Sequence, residues 1–385
     1  MAETVDGLDD LALTWSGRAL DVSRIEAELG KLRYMVAGES AGAQGFALRT
    51  SLLNMVVYAE REESADFASR VIEDLASHHP SRALIVLAQP HDGESRIEAR
   101  LAAHSHISRS LEQSVCCEEI ALRVAGPAAR HLHSVIVPLL VPDLPVHIWW
   151  TEALPADSHL FLQLMETSDH VIVDSQHFAD QTGDLVRLAA LADERPRATV
   201  GDLNWDRLEP WRDFFDRQKA IADMRHHFSS VKSVEIRYAH GRGTHLPGQA
   251  FILLAWLARE LGWDTRSVSA HGRNRLTFLV DEGRQVAAYL HPVEYEAIEP
   301  GRLVSVKIAC ESETARALIS ISRTGDPFHL VVHVEHRGGT SEEHVRFEPP
   351  EPATLLMQEL DASPRNPEYN KVLKAAVPLM KAASA

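Results

Sequence analysis

Three cysteines in 385 residues, Cys116, Cys117 and Cys310, are too few for a disulfide framework. That scarcity fits a reducing cytoplasm. Positive charge is also short: 39 Lys and Arg stand against 55 Asp and Glu, a net charge of −16. Such a chain is not drawn to nucleic acid or to an anionic membrane surface. Its field suits a partner with a basic surface, or serves solubility alone. No apolar run approaches the ~20 residues of a membrane span. The start, Met1-Ala-Glu-Thr-Val-Asp6, lacks the apolar core of a signal peptide, so none is expected. Missing too are a Walker loop and a dinucleotide-binding glycine fingerprint. No catalytic residue, cofactor or metal is assigned.

What is present is an ordinary apolar content of 45% and a length that suggests two domains, 1–225 and 226–385. Ser23 and Glu26 have capping-box spacing, and Val22, Ile25, Leu29 and Leu32 then recur as on a helix to about Met35. Leu52–Tyr58 reads as a strand. Phe67, Val71, Ile72 and Leu75 mark a helix that His79-Pro80 stops, and Ala83–Leu87 is a continuous apolar strand. This βαβ unit implies parallel strands. Strands follow around Ile97–Leu101 and Ile120–Val124, and a helix opens at Pro127. A helix at 158–165, a strand at 170–174 and a helix at 206–222 complete an α/β domain with a mostly parallel sheet and helices on both faces. After residue 225 a strand at 234–238 and an apolar helix at 251–261 precede strands near 275–280, 285–290, 302–310, 315–323, 328–335 and 343–348. Turn signals at short spacing imply an antiparallel meander in an α+β domain, ended by helices at 353–360 and 367–381.

Several candidates for chemistry stand beside plainer readings. His104 and His106, like His131 and His133, are two apart but have no third ligand at metal-site spacing. Adjacent Cys116 and Cys117 lack the two-residue spacer of a redox pair and read as small apolar residues leading into a strand. Gly241-Arg242-Gly243-Thr244-His245 before a helix is an anion loop or a flexible turn. Arg49 and Arg82 each precede a strand of the βαβ unit, where a pair of guanidinium groups clamps an anion, bridges to a partner, or pairs with the domain's own acids.

The segment from Pro138 to Trp150 holds prolines at 138, 142 and 145 and ends in Trp149-Trp150. A helix cannot cross Pro142-Asp-Leu-Pro145, so the chain turns there and enters a strand. Alternation along that strand points Trp149 and Trp150 to opposite faces, with one expected to be exposed. The segment resembles one in the OpcA family of glucose-6-phosphate dehydrogenase assembly proteins. In the same order, Arg49–Asn54, His79–Arg82, Cys116–Glu119, Val171–Ser175 and Asp202–Arg212 also match, with a weaker match at Ala255–Trp263.

The resemblance covers roughly residues 46–263. It implies a cytoplasmic, non-enzymatic assembly factor or allosteric activator whose partner is glucose-6-phosphate dehydrogenase and which supports NADPH supply. Arg49, Asn54, Arg82, Trp149, Trp150, Arg207 and Arg212 are the expected partner or anion contacts. The alternative is a sugar-phosphate-binding α/β enzyme, which Arg49 with Arg82 and the Gly241 loop suggest.

Overall fold

The computed structural model describes residues 11–18, 22–40, 51–108, 113–155, 159–194, 197–241, 247–272, 274–280, 283–312, 316–326, 328–362 and 368–384. In chain order the first elements are β1 (Leu11–Arg18), α1 (Val22–Ser40), β2 (Leu53–Ala59), α2 (Glu62–Leu75), β3 (Ser81–Gln89), β4 (Arg96–Ser108) and β5 (Gln113–Ala125). Then come α3 (Leu132–Ile136), β6 (Val146–Trp150), α4 (His159–Thr167), β7 (His170–Val173), α5 (Gln181–Glu194), β8 (Thr199–Asp202), α6 (Leu203–Asp206), α7 (Glu209–Ala220) and α8 (Ala222–Phe228). The remainder is β9 (Val231–Ala239), α9 (Gly248–Glu260), β10 (Ser269–Ala270), β11 (Arg275–Leu279), β12 (Gln285–Val293), β13 (Leu303–Glu311), β14 (Arg316–Arg323), β15 (His329–His336), β16 (Gly339–Arg346), α10 (Pro352–Asp361) and α11 (Glu368–Ser384).

The chain divides into two compact units, each assembled from separated stretches. One is Met1–Asp174, Glu194–Gly201 and Pro352–Arg365; the other is Ser175–Asp193, Asp202–Glu351 and Asn366–Ala385. The 1–225 and 226–385 expectation treats them as consecutive blocks, whereas this division interleaves them.

The first unit is built on a sheet of order β1-β4-β5-β3-β2-β6-β7-β8. Strands β5, β3, β2, β6 and β7 run parallel, and β4 and β1 add antiparallel neighbours at one side. Every residue of β2 and β7 is buried, as expected of parallel strands covered on both faces. At the end of this sheet His170 Nδ1 lies 2.6 Å from Thr199 Oγ1, and its Nε2 lies 2.9 Å from Glu359 Oε1 of α10. Gly201 lets that carboxylate in, because a Cβ there would collide with it.

The second unit carries a sheet of order β10-β11-β12-β9-β13-β14-β15-β16. Strands β13 to β16 form the expected antiparallel meander. The β9–β12 pairing is parallel, because α9 and the following strands carry the chain across between them. The last strand begins at Gly339 rather than near 343. The Gly338-Gly339 pair makes a tight hairpin, with Gly339 at φ 144°, a conformation open to glycine.

Two helices differ from expectation for local reasons. The helix expected over 206–222 is three pieces, with Pro210 restarting the chain at the head of α7 and Ile221 extended between α7 and α8. Its apolar stripe holds: Leu208, Trp211, Phe214 and Phe215 are all buried. After Pro127 the chain takes 3-10 turns on either side of the short α3, with Gly126 at φ 64° and Pro138 in the second turn. Helix α1 starts at Val22, so Ser23 lies within it rather than at its cap, and Glu26 reaches Arg82 instead.

Candidate functional site

Asn54, Arg82 and Glu118 are register partners on adjacent parallel strands and form a polar row near the amino ends of β2, β3 and β5. Arg82 is 1% exposed. Its Nε donates to Glu118 Oε2 at 2.7 Å, and one terminal nitrogen donates to Glu26 Oε1 and, at 2.9 Å, to Leu139 O. A buried guanidinium is tolerated only when it is so paired. Arg82 is therefore turned to the unit's own acids and is not presented to a partner.

Asn54 is fully buried beside it. Its amide accepts from Val141 N at 2.8 Å and donates to Val141 O at 3.0 Å. This side chain holds the prolyl turn, where Asp143 has φ 65°. The Pro138–Trp150 motif and Asn54 are thus one construction: the strand residue fixes the turn that feeds β6. Arg49 lies outside the described residues.

Trp149 and Trp150 are 3% and 1% exposed, which overturns the expectation that one faces solvent. An interior parallel strand has both faces covered, so alternation sends the two indoles into two different cores. Phe67 of α2 meets Trp149 edge-on at 6.2 Å. Trp150 stacks on Tyr58 at 3.9 Å, meets Phe161 edge-on at 5.0 Å, and donates its N–H to Ala153 O. Neither is a surface contact.

The Asp202–Arg212 motif belongs largely to the second unit. Asp202 caps α6, and its carboxylate accepts from Ser175 N, Ser175 Oγ, Asn204 N and Tyr369 OH, at 3.0, 2.6, 2.9 and 2.8 Å. Asn204 accepts from Gln249 Nε2 at 3.0 Å, and Gln249 Oε1 accepts from Leu303 N at 2.9 Å. All five side chains are buried. Sequence reading missed this network: only the Asp-x-Asn cap spacing at 202–204 hints at it, and Ser175, Gln249 and Tyr369 come from distant stretches.

Arg207 and Arg212 are half-buried. The Arg212 guanidinium lies 3.6 Å above the Trp205 ring and donates to Trp205 O, and burial lowers its pKa. The structure therefore keeps Arg207 and Arg212 near the surface and draws Asn54, Arg82, Trp149 and Trp150 inside.

Other candidates resolve simply. Among the described residues, no group of three or more His, Cys, Asp or Glu side chains is placed to hold a metal ion. The side chains of His104, His106 and Cys116 lie outside the described residues, as does the 242–246 loop; Cys117 is buried. Cys310 is also buried, and burial pushes its thiol up to about 12. No helix of the described residues is long and apolar enough to cross a membrane.

Comparison with known proteins adds the family. Residues 72–190 match the model described as the glucose-6-phosphate dehydrogenase subunit N-terminal domain, and residues 198–373 match that of the C-terminal domain. A protein of Synechocystis sp. named "Putative OxPP cycle protein OpcA" is 28% identical over 293 residues, 74% of this chain and 59% of that one. A protein of the same name from Synechococcus elongatus is 27% identical over 248 residues, 63% of this chain and 54% of that one. The chain thus spans less than two thirds of the length of these relatives. Among solved structures, KijD10, a 3-ketoreductase from Actinomadura kijaniata, aligns over 86% of this chain and 96% of its own. At 12% identity and a TM-score of 0.48, that likeness bears on neither activity nor substrate. With both family models matched in order along most of its length, the chain belongs to the OpcA glucose-6-phosphate dehydrogenase assembly family.

Proposed function

We propose that this chain binds glucose-6-phosphate dehydrogenase in the cytoplasm and acts as a non-enzymatic assembly factor and allosteric activator, raising NADPH output from the oxidative pentose phosphate pathway. The observation that carries this reading is the paired family match over residues 72–190 and 198–373. An activator of this kind works by binding one state of the dehydrogenase oligomer better than another. The shift it produces is limited to that difference in affinity. A specific interface of this sort buries at least about 1,000 Å². In this reading Arg207 and Arg212, with Arg49, contribute to the contact. Asn54, Arg82, Trp149 and Trp150 act indirectly by holding the amino-terminal sheet.

The test is a titration of this protein into purified cognate dehydrogenase, following NADPH at sub-saturating glucose 6-phosphate. A saturable rise in rate with a co-eluting complex is expected, weakened in Arg207→Ala. No rise and no complex would overturn the reading. Turnover of a sugar phosphate and NADP by the pure chain alone would overturn its non-enzymatic part.

A further inference from the structure

The sheet of the second unit ends on one side in β10, two residues long, and on the other in β16, eight residues long. Among the described residues β16 pairs only with β15. That register runs unbroken from Gly339 to Arg346, with no bulge and no proline. Every second residue of such a strand turns its N–H and C=O away from the sheet. A long, regular edge is a template for one more strand. The short β10 offers none.

Beside this edge, helix α7 and the sheet leave a groove of about 310 Å³. Its lining is apolar: Phe214, Ile321, Leu330, Val332, Val345 and Phe347. Val345 and Glu343 of β16 are the register partners of Leu330 and Val332, so both stand on the α7 face of the sheet. A strand added outside β16 sends alternate side chains to that same face, beside the groove. The rim is acidic. Glu209, Asp213, Glu343 and Glu348 are exposed around it, against Arg217 and Arg346. Arg346 is held by Glu348, and Arg217 Nε donates to Asp213 O at 3.3 Å. The carboxylates of Asp213 and Glu343 have no ion-pair partner among the described residues.

These charges decide what the edge can accept. Two copies of β16 paired antiparallel over their full length set Glu342 against Glu343 twice, and like charges directly opposite destabilise the pair. The edge thus selects against a second copy and for a basic strand. Opposite Val345 that strand needs an apolar residue, and opposite Glu343 and Glu342 it needs cations. Run antiparallel to β16, its pattern is apolar, any residue, basic, basic.

We propose that the β16 edge and the groove beside it dock an extended segment of a partner protein with this pattern. The proposal concerns the edge alone and stands whether or not the dehydrogenase is the partner. The probe is the capped peptide Thr-Leu-Thr-Lys-Lys-Thr-Thr, labelled and titrated by fluorescence anisotropy with the full chain. Saturable binding is expected, with slowed amide exchange at alternate residues of Gly339–Arg346. Replacing Leu by Ser in the peptide is expected to weaken binding about tenfold or more, and Glu-Glu in place of Lys-Lys to abolish it. Glu342→Lys with Glu343→Lys alters two exposed side chains and is expected to invert the preference, with Tm unchanged. The proposal fails if the Lys-Lys peptide does not bind, or if the Glu-Glu peptide binds as well. It fails equally if the Ser peptide matches the parent, which is charge attraction alone, or if the β16 amides stay unprotected. A chain that is dimeric by itself with β16 already protected would give the edge to a second copy and overturn it too.

Discussion

Strand β2 in the first unit is buried at every position, whereas β15 in the second alternates buried residues with half-buried or exposed ones. The polar anchors of the two units differ in the same sense. In the first, an Arg82–Glu118 ion pair lies inside a sheet covered on both faces. In the second, the single carboxylate of Asp202 is surrounded by hydroxyl and amide donors at the ends of elements. The contrast teaches that a two-sided core must neutralise a charge with a charge. Where a strand gives way to a helix cap, as β8 does at Asp202, neutral donors can hold the charge instead.

The largest effect should come from breaking the ion pair on one side only. Arg82→Met strands Glu118 in the core, and an expected loss of about 3–5 kcal/mol would appear in urea unfolding. The double change Arg82→Met with Glu118→Leu should recover much of that, because an apolar pair no longer carries the desolvation cost. A loss under about 1 kcal/mol in the single variant would break the comparison. Trp150→Ala, which empties the space between Tyr58 and Phe161, should cost about 3–5 kcal/mol in the same assay.

Next is a pH effect confined to the first unit. His147 is buried among His170, Asp169, His79 and Glu359, and burial, reinforced by His170, pulls its pKa from 6.5 down to about 4. The unfolded chain then binds the proton more readily than the folded one. Stability is full above pH 6.5 and falls as pH drops toward about 4. The loss amounts to about 3 kcal/mol at most. Unfolding midpoints measured across that window should show His147→Gln flattening the decline, and an unchanged slope would exclude His147 as its source.

In the second unit, Tyr369→Phe removes a donor to Asp202 and should cost about 1.5–3 kcal/mol in urea unfolding, the range for a hydrogen bond to a charged group. The smallest effect should be Glu311→Gln. This breaks an exposed Lys232–Glu311–Arg316 cluster and should leave Tm unchanged within error.

Much of the fold could be read from periodicity. The β2-α2-β3 unit, β7, α9 and the β13–β16 meander follow directly from apolar spacing and turn residues. Helix α5 and strand β8 escaped; β8, Thr-Val-Gly-Asp, has one large apolar residue, where the equally short β7 has three. Of β4 and β5, only the parts around Ile97–Leu101 and Ile120–Val124 were read as strands, not their full 13 residues. Site residues were less legible. Arg82 and Asn54 were expected as partner or anion contacts, whereas their partners Glu26, Glu118 and Val141 are set by strand order, which spacing does not reveal. The paired tryptophans carried a similar ambiguity: alternation fixes opposite directions, and only the number of covering layers decides whether either direction leads to water.

The hold of α10 on the first sheet has a consequence in time. During synthesis, His170 and Gly201 leave the ribosome long before Glu359 does. At the usual ~5–20 residues per second, the carboxylate that meets His170 arrives roughly 10–30 s after β8 is made. Through that interval the nascent amino-terminal sheet must wait without its last helix, and the ribosome makes nearly the whole second unit before the first can be finished.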